Sequence, residues 1–137
     1  GSSSDYGNDI AVDSSGNIYV IGSTYSFGAG FYDIWTLKYN STGDLLWNKT
    51  EGGSDYDLGL GIAIDSSGNI YVTGRNIASI WTLKYNSTGD LLWNKTESIA
   101  DSGQGIAIDS SGNIYVTGYN YIEGAPGDSD IWTLTME

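Results

Sequence analysis

Short apolar runs separated by polar turn residues recur along the whole chain, and their order repeats. Asp9 to Gly22 reads DIAVDSSGNIYVIG, while Gly61 to Gly74 and Gly105 to Gly118 both read GIAIDSSGNIYVTG. Each copy sets two apolar runs on either side of D-S-S-G-N, the pattern of two strands joined by a tight hairpin turn. Asp13, Asp65 and Asp109 are expected to accept backbone N–H bonds inside that turn. Gly16, Gly68 and Gly112 are expected to take the left-handed conformation that a short bulged hairpin needs. A second module, IWTLKYNSTGDLLWNKT, runs from Ile34 to Thr50, returns unchanged at Ile80 to Thr96, and begins again at Ile131. Trp35, Leu37 and Tyr39 alternate with Ile34, Thr36 and Lys38, which predicts a third strand with two distinct faces. N-S-T-G-D then marks a second tight turn, and Leu45 to Thr50 a fourth strand.

The predicted unit is therefore a four-stranded antiparallel meander. Three units fill residues 9–50, 61–96 and 105–137 of one repeat domain, 1–137. The inner strands are apolar on both faces, as in Ile62-Ala63-Ile64 and Ile70-Tyr71-Val72, so each meander needs cover on both sides. Stacking the units supplies it. A repeat of about 40 to 50 residues written in strand formers predicts an all-β propeller of four-stranded blades. Solenoid β-repeats are shorter and lack two hairpins per unit. The third unit stops at the strand Ile131 to Glu137, so the chain carries three blades with the outer strand of the third missing.

The unit GIAIDSSGNIYVTG, a variable loop, and DIWTLKYNSTGDLLWNKT together resemble the SBBP-type β-propeller repeats found in tandem in bacterial and archaeal secreted or surface proteins. The first half is also similar to the NHL repeat. The resemblance runs from about Asp9 to Leu134. It implies that the first strand of each unit lines a central channel and the fourth lies outermost. It brings no catalytic residues with it. Extracellular or cell-surface residence is the expected location, from the resemblance together with the sequons described below and the acidic, cysteine-free composition.

Composition narrows the chemistry. Seventeen Asp and Glu against five Lys and Arg give a formal charge of −12, which repels nucleic-acid backbones and anionic lipid surfaces. The chain has no Cys and no His, which removes disulfides, thiolate sites, the commonest general base and the commonest zinc ligand. No cofactor and no metal are expected. No apolar run approaches the roughly 20 residues that span a bilayer, so membrane insertion is not expected, and the N-terminus shows no signal-peptide pattern.

The copies differ in length between their second and third strands, at residues 23–33, 75–79 and 119–130. Antiparallel connectivity places these segments and the inter-unit connectors on one rim, opposite the D-S-S-G-N and N-S-T-G-D turns. Loops that vary on a repeating scaffold are where binding resides. The candidates there are Tyr25, Phe27, Phe31, Tyr32, Tyr56, Tyr119 and Tyr121, joined by Tyr6. Such rings suit stacking on sugars or packing on a protein, and would equally well cover blade ends or fill a subunit interface. Trp35, Trp47, Trp81, Trp93 and Trp132 recur at equivalent positions and predict inter-blade packing. No repeated Arg or acid stands beside them to orient a sugar hydroxyl.

Asp55, Asp57, Asp101, Asp128 and Asp130 fall on the variable rim, where a hydrolase pair would need carboxylates about 5 to 9 Å apart. They differ in each copy and have no partner base. Clustered carboxylates also suit a hard cation or a solvated rim. The D-S-S-G-N turns lack the alternating oxygen ligands and closing Glu of an EF-hand. Asn40, Asn48, Asn86 and Asn94 each begin an N-x-S/T acceptor pattern for glycosylation.

These observations lead to a non-enzymatic propeller module for extracellular binding or structural self-assembly, with carbohydrate binding by the aromatic rim as the alternative. Propellers close with about 4 to 8 blades, so three blades leave open faces. A second copy would complete a six-bladed homodimer, whereas a head-to-tail contact that fails to close gives a filament. The edge Ile131, Trp132, Thr133 and Leu134 is then open to a strand from another chain. In a longer repeat array the neighbouring repeats would do the same work. Glycans and surface proteins are the other expected partners.

Overall fold

A computed structural model describes residues 2–77, 79–98, 102–121 and 129–136, with the backbone alone for Tyr121, Ser129, Asp130 and Trp132. The described residues form eleven strands and no helix. Sheet 1 contains β1 (Asp5–Val12), β2 (Ile18–Thr24), β3 (Asp33–Tyr39) and β4 (Leu45–Glu51) in sequence order. Sheet 2 contains β5 (Asp57–Ile64), β6 (Ile70–Asn76), β7 (Ser79–Tyr85) and β8 (Leu91–Glu97), again in sequence order. Sheet 3 has three strands, β9 (Ser102–Ile108), β10 (Ile114–Tyr121) and β11 (Ser129–Met136), with β11 at its edge. All pairings are antiparallel. The all-β propeller architecture and its three blades are thus as the repeat pattern requires.

The turns form by the expected local chemistry. Asp13 Oδ1 accepts the backbone N–H groups of Ser15 and Asn17, both at 2.9 Å, and its Oδ2 accepts Asn17 Nδ2 at 2.8 Å and the Tyr19 hydroxyl at 3.0 Å. Asp65 and Asp109 repeat the arrangement. Gly16 sits at φ 81°, Gly68 at 82° and Gly112 at 88°, the left-handed region where a Cβ is strained. In the second turn Asn40 Oδ1 accepts the N–H groups of Thr42 and Asp44 at 3.0 and 2.8 Å, and Asn40 Nδ2 donates to Asp44 Oδ2 at 2.9 Å.

The first strand of each unit is longer than the sequence pattern suggests. β1 begins at Asp5 and not at Asp9, because pairing resumes beyond an irregularity between Gly7 and Asp9, with Asp5 opposite Thr24. The same shift lies between Gly59 and Gly61, so the second unit starts at Asp57; the third starts at Ser102, with its shift beside Gly118. An extra residue in one strand of a pair is a β-bulge, and it hides the continuation from a reading of alternation. Tyr6 therefore lies on β1, and Tyr119 and Tyr121 on β10, rather than in loops.

Two apolar layers join the three sheets. Tyr19, Ile21 and Ile34 of sheet 1 pack on Ile62, Ile70, Val72, Leu83 and Tyr85 of sheet 2. One unit along, Tyr71 and Ile80 of sheet 2 pack on Ile114, Val116 and Met136 of sheet 3. Three of the tryptophans pack against these layers, Trp47 and Trp81 on the first and Trp93 on the second: Trp47 lies 6.3 Å edge-on from Tyr19 and 6.5 Å from Tyr85, and Trp93 lies 6.1 Å edge-on from Tyr71. Trp35 instead lies against Phe27 and donates through Nε1 to Asn48 Oδ1. Polar ties cross the first layer, from Ile62 N to Asp9 Oδ2 at 3.0 Å and from Lys38 Nζ to Ser87 O at 3.0 Å.

Candidate functional site

Two surfaces stand out, the rim above sheets 1 and 2 and the outward faces of sheets 1 and 3. On the rim, three carboxylates hold the loops that carry the rings, the half-buried Asp5 and the buried Asp33 and Asp57. Asp5 Oδ1 accepts Thr24 Oγ1 at 2.6 Å and the Tyr25 N–H at 3.2 Å. Asp33 Oδ2 accepts the Ala29 N–H at 2.6 Å, Asp57 Oδ2 accepts the Gly53 N–H at 2.8 Å, and the Asp57 N–H donates to Tyr32 O at 2.6 Å. Burial raises the Asp33 carboxyl above its ordinary range, with the Ala29 N–H opposing it. Burial also raises Asp57, reinforced by the nearby charges of Asp33 and Asp55. These acids are loop clamps. Asp57 is almost fully covered, and its Oδ2 is taken up by the connector. Asp101 and Asp128, and the Asp130 side chain, lie outside the described residues. Among the described residues no three acids converge as metal ligands.

Held this way, the rings meet. Phe31 stacks on Tyr56 at 4.8 Å between centroids and 10° between planes. Tyr32 lies 5.9 Å from Tyr56, 5.3 Å from Tyr25 and 5.7 Å from Tyr6. Five of the expected aromatics, Tyr6, Tyr25, Phe31, Tyr32 and Tyr56, thus form one cluster. Phe27 turns away to lie 5.3 Å from Trp35. Tyr119 belongs to sheet 3 and the Tyr121 side chain lies outside the described residues. Beside the cluster opens a cleft of about 460 Å³ lined by Tyr6, Asn8, Ser23, Tyr32, Tyr56, Leu58, Leu60 and Arg75. Asn8, Ser23 and Arg75 are polar members that the sequence pattern does not single out. The available signal is that Arg75 is the only Arg in the chain and stands where the other copies carry Ser23 and Tyr119.

On the opposite rim a hollow of about 430 Å³ separates the turns at Asp13 and Asp65. The carboxylate oxygens there are already bonded within their own turns.

The outward faces repeat the buried ones. Ile10 and Val12 of sheet 1 occupy the repeat positions of Ile62 and Ile64, yet Ile10 is 61% exposed where Ile62 is 6% exposed. On sheet 3, Tyr115 is 37% exposed where Tyr71 is 3%, and Ile131 is 89% exposed where Ile80 is 1%. Thr133 is exposed and Leu134 packs inward against the second apolar layer; the Trp132 side chain is not among those described.

Of the glycosylation candidates, Asn40 and Asn86 spend their amide nitrogens on Asp44 and Asp90. Asn48 and Asn94 lie exposed on β4 and β8. No helix among the described residues is long and apolar enough to cross a membrane.

Comparison with known proteins bears on the fold. A crystal structure of a protein of unknown function from Bacteroides caccae is similar over 82% of this chain, with a TM-score of 0.58 and 19% identity. The match spans 38% of that chain's length. No curated protein matches. The family model of the SBBP β-propeller repeat matches at residues 1–28, 52–75 and 97–119, once in each unit across the first two strands. The chain belongs to the SBBP β-propeller repeat family.

Proposed function

We propose that this chain is a non-catalytic propeller module that completes its disc by self-association, the outward face of sheet 1 docking on the outward face of sheet 3 of a second copy. The observation that carries this reading is the exposure, at both ends of the stack, of residues that the repeat buries internally. Ile10, Val12, Val20 and Tyr39 reproduce the surface by which sheet 2 packs on sheet 1. Tyr115 and Ile131 reproduce the surface that receives it. Burying each large apolar side chain contributes about 1.5 to 3 kcal/mol, so a contact built on a copy of the internal interface is favourable. Two copies related by a twofold axis would use both contacts and close six sheets into a ring, within the range of about 4 to 8 blades that propellers adopt.

Two blocked variants test the pairing. Ile10→Asp removes one face and Ile131→Asp the other, both at exposed positions that leave the internal layers intact. Each variant alone is expected to sediment as a monomer, and a mixture of the two to form a one-to-one complex through the remaining faces. Association of Ile10→Asp alone at the wild-type concentration dependence would contradict this docking.

A second reading, carbohydrate binding on the variable rim, is supported by the cluster of Tyr6, Tyr32 and Tyr56 beside the cleft. Extracellular or surface residence belongs to the same proposal. Intact mass of protein from its native source is expected to show glycan at Asn48 and Asn94, whose amides are exposed, and none at Asn40 and Asn86. A mass equal to the bare polypeptide would remove that support.

A further inference from the structure

The cleft between sheets 1 and 2 contains a polar pair left without partners. Ser23 is 2% exposed and its Oγ makes no hydrogen bond, and Arg75 Nε is buried and likewise unbonded. Both residues line the cleft together with Tyr6, Tyr32 and Tyr56 and the apolar Leu58 and Leu60. Leaving a buried donor unsatisfied costs about 1 to 3 kcal/mol, and more where the group is charged. This chain has acids in abundance and sets none of them on its single Arg among the described residues. Lysines elsewhere are treated differently: Lys38 donates to Ser87 O and lies 5.1 Å over the Tyr19 ring, and Lys84 lies 4.9 Å over the Tyr71 ring.

We infer that this cleft binds a small saccharide bearing one carboxylate, a uronate, with Arg75 as its anion partner. The inference rests on the rim-binding reading and names its ligand class. A guanidinium matches a carboxylate with two parallel N–H···O bonds, a geometry that neither Lys nor an amide reproduces. Three tyrosines with centroids 5.7 and 5.9 Å apart offer flat apolar surface with polar edges, which suits the C–H face of a sugar ring. Asn8 donates through Nδ2 to Gly59 O at 2.7 Å, which leaves its Oδ1 to accept from a sugar hydroxyl. A cleft of about 460 Å³ holds one or two sugar rings. The formal charge of −12 disfavours polyanions at long range, so the ligand is a short saccharide recognised by contact. The site lies within one chain and does not depend on the association of copies.

The test is calorimetric titration of the full chain with glucuronate and with glucose, its neutral counterpart. Glucuronate is expected to bind at least about tenfold more tightly, the value of one charge-assisted contact. Arg75→Gln should reduce that preference to near unity while glucose binding persists, and Arg75→Lys should restore only part of it. Tyr56→Ala should weaken both sugars together. Equal binding of the two sugars by the wild-type protein, or a preference that survives Arg75→Gln, overturns the uronate inference and leaves rim binding standing. Binding of neither sugar overturns both. Unchanged circular dichroism and melting of the Arg75 variants separate loss of recognition from loss of fold.

Discussion

Asp65 shows how much a single side chain settles in this chain. Burial alone would raise its carboxyl, but bonds from the Asn69 side chain and backbone, the Tyr71 hydroxyl and the Ser67 N–H hold it below the ordinary Asp value. Its contribution to stability is therefore present above the unfolded-state value and is lost as pH falls through the lower folded-state value. Asp33 and Asp57 run the other way. Burial raises both, so each favours the fold most when protonated and contributes less as pH rises from the ordinary Asp value through the raised one. Melting temperatures across about pH 3 to 7 should then show Asp65→Asn losing less stability on acidification than wild type, and Asp33→Asn gaining on wild type as pH rises. Parallel curves for all three proteins would contradict the assignments. Glycine carries a sharper constraint at Gly74, where a Cβ would be driven into the Leu58 carbonyl. Gly74→Ala is expected to cost about 3 kcal/mol in chemical denaturation, and a loss below about 0.5 kcal/mol would mean that the bulge yields. The turn acids are legible in sequence because all their partners lie within six residues. Arg75 is not, since its environment is assembled from β1, β2, β5 and the rim loops.

At the scale of the strand, identical sequence meets different surroundings, which gives an internal control. Ile62 and Ile10 hold the same repeat position on β5 and β1, the first covered by sheet 1 and the second open. Ile62→Ala should cost about 2 to 5 kcal/mol and Ile10→Ala no more than about 0.5 kcal/mol when unfolding is followed at dilutions that keep the chain monomeric. Equal costs would mean that the stack of sheets differs from the one described. The pattern of apolar runs broken by D-S-S-G-N or N-S-T-G-D identified the tight hairpins, because each turn is closed by an Asp or Asn side chain bonded to its own backbone. It failed at the starts of β1, β5 and β9, where a bulge moves the register by one residue and turns the following side chains over. The aromatic rim was legible as composition only. Which rings meet depends on the Asp57 N–H reaching the Tyr32 carbonyl, a tie between two loops far apart in sequence that no local pattern encodes.

The whole molecule is governed by repetition. A stack whose internal layers are copies of one interface ends in two halves of that same interface, and those halves are apolar enough to matter. Whether these two halves close on one another is read from the mass of the wild-type chain in solution, followed by sedimentation equilibrium from nanomolar to micromolar concentration. The expected result is a reversible shift from the monomer mass to twice that mass, with no larger species. A single monomer mass throughout, or growth without limit, would contradict the closed pair of chains.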